Sequence, residues 1–192
     1  MRLIVLATGL LFISQTAFAH EAGGLAGGFA SGFMHPILGW DHVAAMIAVG
    51  LWGAVLGQPA IWVLPVTFPL VMAVGGALGV AGVSLPGVEI GIASSALVLG
   101  VMVLAAARPP LWLAALIVAT FAVFHGHAHG TELPEAATPL AYSLGFVLST
   151  GLLHMLGIAF GLLTRWRSGV VLVRTSGALI AMAGALFLTR AI

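Results

Sequence analysis

The sequence contains no cysteine and no lysine; its six basic residues are all arginine. Without cysteine there is no disulfide framework, no thiolate metal site and no thiol nucleophile. Charge of either sign is scarce. Charged residues make up 6% of the 192-residue chain, where a soluble domain carries roughly 25%, so a water-soluble globule is excluded. Five acids against six arginines leave a net charge of +1. There is no basic surface for nucleic acid and no acidic tail for a basic partner. What the chain does have is 61% hydrophobic residues and seven histidines, more than either charge class. That excess of imidazole in an apolar chain is where the function is to be sought.

Residues 1–19 have the makings of a cleaved secretory signal. Arg2 supplies the positive start, Leu3 to Ile13 the apolar stretch, and Ala17-Phe18-Ala19 a small-x-small cleavage site. Cleavage would leave His20 as the first residue, pairing an α-amino group with an imidazole that can chelate one metal ion. Beyond it, apolar stretches recur between Pro/Gly or polar breaks. The first lies between Leu25 and Leu56, interrupted at His35-Pro36. The others run from about Ile61 to Gly82, Glu89 to Ala107, Leu111 to His129, Pro139 to Leu163 and Gly169 to Thr189. Open strands cannot satisfy their backbone in lipid, so these are expected to be helices. The expected fold is an all-α polytopic membrane bundle: a signal peptide at 1–19, then one domain at 20–192 with six spans.

An external N-terminus puts Arg108, Arg165 and Arg167 in inner loops, with Arg174 just within the last span. The outer side then holds Glu21, Glu89, Glu132 and Glu135, with Arg190 its only base, in keeping with the positive-inside rule. Both mature termini are then expected on the outer side of the membrane. Gly75-Gly76 with Gly79, and Gly157 with Gly161, offer small-residue faces for close helix contact. Three spans followed by three more would lie in opposite orientations, as in inverted-repeat transporters. No sequence match between the halves supports a repeat.

Two constellations carry chemistry. The first is His35-Pro36-Ile37-Leu38-Gly39-Trp40-Asp41-His42, with Met46 one turn later. On a continuous helix His35 and His42 would share a face; Pro36 either starts that helix or kinks it. A carboxylate in a membrane costs roughly 3 kcal/mol or more and is expected to be paired or to bind a cation. An N-cap role for Asp41 with a hydrogen-bonded His is the plainer alternative. The second is Phe124-His125-Gly126-His127-Ala128-His129-Gly130-Thr131-Glu132. His125 and His129 share a helical face, Glu132 adds a carboxylate if the helix continues, and His127 points nearly the opposite way. Such an i, i+4 His pair grips a borderline divalent ion; a pH-sensing His cluster is the other use.

By the topology above both clusters reach the outer side, where Glu89 opens the third span. Nitrogen and oxygen ligands without thiolate suit nickel, cobalt, zinc or copper(II) and argue against copper(I). His154 stands alone in the fifth span, on a stripe with Thr150, Gly157 and Gly161. It is either an interhelical hydrogen-bonding residue or a relay ligand farther along a pathway. Pro65 and Pro69 flank Phe68 and predict a broken helix, the form transporters adopt near ion sites.

The motifs H-P-I-L-G-W-D-H and F-H-G-H-A-H-G-T-E, with S-T-G-L-L-H-M-L-G at Ser149 to Gly157, resemble those of the HupE/UreJ family of bacterial nickel permeases. The resemblance covers essentially the whole mature chain. A larger nickel/cobalt permease family has four residues between the His and Asp of a related motif; here five intervene, Pro36 to Trp40. What the resemblance implies is secondary transport of nickel, with cobalt second, for hydrogenase or urease maturation. The implied partners are the metal ion as substrate and the lipid bilayer, with no permanently bound cofactor and no nucleic acid. A homo-oligomer is compatible with it. The rival class is a membrane His-box metalloenzyme like the di-iron oxidases. Those enzymes need about eight His, including adjacent pairs, and this chain has no His-His pair. No H-E-x-x-H motif completes a metalloprotease site. With no nucleotide-binding loop either, transport runs on a gradient or on a separate partner.

Overall fold

The computed structural model describes residues 25–131 and 138–192. The expected signal segment, His20, Glu132 and Glu135 lie outside the described residues. Among those described, every regular element is helical: α1 (Leu25–Leu38), α2 (Trp40–Leu56), α3 (Ala60–Val80), α4 (Val88–Leu104), α5 (Leu111–Thr131), α6 (Pro139–Gly161), a 3-10 turn (Leu162–Arg165) and α7 (Arg167–Ala191). Four of these are long and apolar enough to cross a membrane: α3, α5, α6 with its 3-10 extension, and α7. A fifth crossing is made by α1 and α2 if taken together, and α4 is a shorter apolar helix. The protein is a helical integral membrane protein.

The breaks between helices fall where the sequence places them, with two exceptions. Glycine is needed at the turn after α2, where Gly57 sits at φ 81° and ψ −157°, a region closed to side chains with a Cβ. The interruption expected at His35-Pro36 lies instead at Gly39, and α1 runs through Pro36 to Leu38. There the chain bends by 80°. One missing amide is not enough to end α1. Gly39, extended at φ −89° and ψ 107°, ends it and starts α2. The break expected at Pro65 and Pro69 is absent too, and α3 is continuous through both. Freed backbone groups are tolerated in a membrane helix where a neighbour can satisfy them, and the His154 ring comes within reach of the Pro65 backbone.

Glycines set the packing. A Cβ on Gly75 would strike the Val123 carbonyl, and one on Gly79 the His127 carbonyl, so α3 and α5 run parallel in backbone contact. Gly157 and Gly161 meet Ile47 and Leu51 in the same way, making α2 and α6 a second parallel pair. Gly100 and Gly177 face each other where α4 crosses α7, with Gly184 against Leu97, an antiparallel crossing. Exchanging the two halves of the chain turns the α2–α6 pair into the α5–α3 pair and returns α4–α7 to itself. The correspondence holds for these close glycine contacts; the α2–α3 and α2–α4 contacts have no counterpart in the other half. The Trp52 indole N–H donates to the Ala107 carbonyl at 2.9 Å, and Arg174 Nε–H to the Leu104 carbonyl at 2.7 Å, closing the α4 end.

Candidate metal site

The first motif is built around its glycine. Asp41 sits in the first turn of α2, where its Oδ1 accepts the His42 backbone N–H at 2.8 Å. A carboxylate there satisfies an orphan amide and meets the positive end of the helix dipole. The same oxygen accepts the His42 Nδ1–H at 2.7 Å. A Cβ on Gly39 would lie 2.9 Å from His42 Nδ1 and 3.0 Å from Asp41 Oδ1, so glycine leaves room for the pair. The N-cap is Gly39 rather than Asp41, and from the first turn Asp41 holds both the amide and the imidazole of His42.

Four imidazoles from three helices then converge. His35 at the end of α1 lies 6.4 Å from His42 between ring centroids, despite the bend between them. His129 stands 4.7 Å from His35 and 4.6 Å from His42, and His125 stands 4.8 Å from His42. Two imidazoles on one ion have centroids roughly 4.5–5.5 Å apart, given metal–nitrogen bonds of about 2.0–2.1 Å. The His129–His35, His129–His42 and His125–His42 separations therefore suit shared ligation, while His35 and His42 stand farther apart. The orientations are those of packed rings: among the described residues, no three His, Asp or Glu side chains already surround a point as a metal cage.

Hydrogen bonding decides which nitrogens carry lone pairs. Asp41 can only accept, so His42 is protonated at Nδ1 and its buried Nε2 has no partner. The Ser95 hydroxyl donates its one proton to the Ile92 carbonyl at 2.6 Å. Its 2.9 Å contact with His125 Nε2 must then be donated by the ring. This leaves His125 Nδ1 bare, buried and unpartnered, while His129 has no partner at either nitrogen. An unsatisfied buried polar atom costs about 1–3 kcal/mol, and these sit on facing rings. They are the donor set a borderline divalent ion prefers.

The other expected residues divide. His127 turns away, as its place on α5 predicts, and its Nε2–H donates to the Val83 carbonyl at 2.7 Å. Exposed Glu89 stays out of the imidazole cluster but shares a cleft of about 280 Å³ with Asp41 and Arg190. A second cleft of about 280 Å³ opens beside His129 between α3, α5 and α6, past Met72, Gly76 and Tyr142. Met46 is fully buried in the apolar core. The Phe68 ring lies 5.4 Å from His125 and 5.5 Å from His154, between the cluster and the lone histidine. Thr150 and His154 are buried deeper along α6.

Sequence reasoning missed Ser95, Tyr142 and Phe146. The Phe146 ring lies 4.4 Å from His129, and Tyr142 lies 5.9 Å from His35. Ser95 was within reach of sequence reading, as a hydroxyl inside an apolar helix two turns after Glu89. Its role predicts that Ser95→Ala releases the His125 tautomer and weakens metal binding roughly 10–100-fold, the usual cost of losing such a supporting bond. Titration of the purified variant against wild type, at equal folded fraction, checks this.

Known proteins agree in full length. The family described as HupE / UreJ protein matches residues 8–187. Protein HupE of Rhizobium leguminosarum bv. viciae is 41% identical over 189 residues, covering 98% of this chain and 99% of that one. No solved structure matches.

Proposed function

Since the chain belongs to the HupE/UreJ family, we propose that it is a secondary permease for divalent transition-metal ions, nickel first and cobalt second. On this reading it lies in the inner membrane with six spans after a removed signal and both termini periplasmic. It supplies metal for hydrogenase or urease maturation. The observation that carries the reading is the convergence of four imidazoles, one of them held by Asp41, with buried lone pairs on His42, His125 and His129. Glu89, beside Asp41 in the outer cleft, adds negative charge where the cation enters. His20 and Glu132 belong to the proposed capture route as the sequence places them.

Radioactive nickel uptake by cells expressing the chain, with cobalt and zinc as competitors, is the deciding experiment. Saturable uptake suppressed by cobalt is expected; no uptake above background overturns the reading. In the same assay His129→Ala is expected to cut the initial rate at limiting metal more than His127→Ala. His129 offers two unpartnered nitrogens to the cluster, whereas His127 is committed to Val83. The reverse order would put the pathway on the opposite face of α5.

A further inference from the structure

Deeper in the bundle a second imidazole is held by a different device. Tyr142, Phe146, Thr150 and His154 follow one another at four-residue steps and so form one stripe of α6. At 1.5 Å per residue, His154 lies about 12 Å along the axis from Phe146, the ring that touches His129. Phe68 stands between this position and the outer cluster.

The local backbone of α3 explains how His154 is oriented. The Pro65 carbonyl would ordinarily accept the amide proton of residue 69, but residue 69 is proline and has none. The His154 ring lies within hydrogen-bonding reach of the Pro65 backbone. Proline has no N–H to give, so the carbonyl accepts and the ring donates. His154 Nε2 has no partner, so the donor is Nδ1. The bare Nε2 lies on a side chain 1% exposed. The Thr150 and Ser149 hydroxyls, 0% and 1% exposed on the same stretch of α6, have no partners either. Three orphaned polar groups within two turns of a packed helix are costly unless a polar guest meets them.

We propose that His154 is a second coordination point for the transported metal ion, inward of the outer cluster, and that the Pro65 carbonyl left free by Pro69 holds its imidazole with Nε2 bare. This rests on the permease reading. One imidazole binds a divalent ion more weakly than the outer group of four, as a stop before release requires. Pro69 is a positioning residue: it touches no metal and acts by leaving an acceptor for His154.

The test measures nickel uptake kinetics at matched membrane level. His154→Ala is expected to lower the maximal rate roughly 10-fold or more, with little change in the half-saturating concentration, because capture occurs at the outer cluster. His154→Gln, which keeps a donor for Pro65 and an oxygen, is expected to retain part of the rate. Pro69→Ala restores an amide that competes for the Pro65 carbonyl, and about a 10-fold loss of rate is expected. Nitrogen-15 NMR of His-labelled protein in bilayers supplies a readout independent of transport. Wild type is expected to show a His154 ring protonated at Nδ1 and bare at Nε2, assigned by its disappearance in His154→Gln, and Pro69→Ala is expected to lose that form. Normal maximal rate in His154→Ala, or the same tautomer in Pro69→Ala as in wild type, overturns the inner site alone. Absence of uptake by wild type overturns the permease reading and this inference with it.

Discussion

Asp41→Asn is expected to bring nickel uptake to background while leaving the protein in the membrane. The asparagine carbonyl can still accept from His42 Nδ1–H and from the His42 amide, so the substitution removes charge and keeps shape. A carboxylate about 4 Å from a unit positive charge contributes about 4 kcal/mol at an effective dielectric of 20. Asp41 is 31% exposed, so solvent screens part of this. Even half, about 2 kcal/mol, lowers occupancy roughly 30-fold. The neutral amide also leaves desolvation of a divalent ion to imidazoles alone. Initial uptake rates at limiting nickel, with membrane level followed by immunoblot, give the comparison. Near-normal uptake would remove Asp41 from the site.

Much of this site was legible in the sequence because its chemistry is local. The i, i+4 spacing put His125 and His129 on one face and His127 on the other, and their hydrogen bonds follow that division. Scarcity of charge and the Pro/Gly punctuation located the helices to within a few residues. What was not legible depends on backbone groups from distant parts of the chain. Two prolines predicted a broken α3; the helix stays whole, with a histidine 89 positions later in reach of the Pro65 backbone. Pro36 looked like the break in the first apolar stretch, yet Gly39 makes it, and the reason lies in the Asp41–His42 pair it accommodates.

The matching close contacts in the two halves were invisible for a related reason. They lie where two backbones touch, and a contact of that kind constrains only the size of the residue. Gly75 and Gly79 on α3 do for α5 what Gly157 and Gly161 on α6 do for α2. Between such positions lipid-facing residues need only be apolar, so the remaining letters diverge freely while the pairing persists.

Those contacts predict the second large effect, loss of the folded protein on enlarging either of two corresponding glycines. A Cβ on Gly126 would fall on the Met72 carbonyl oxygen, and one on Gly50 on the His154 carbonyl oxygen. Backbone atoms of a packed helix cannot rotate aside as a side chain can, so the helices must separate. Overpacking of this kind costs about 1–3 kcal/mol, and Val is expected at the upper end because its branched β-carbon stands against a carbonyl. Gly126 adjoins His125, so moving α5 off α3 also draws His125 and His129 away from His42. Gly126→Val and Gly50→Val are therefore both expected to reduce membrane accumulation severalfold and to aggregate at lower temperature in detergent. Gly151→Ala, with nothing within 4 Å of the added carbon, is the control and is expected to behave as wild type. A normal melting profile for Gly126→Val would mean that α3 and α5 do not pack through Gly126, and a loss in one variant alone would break the correspondence between the halves.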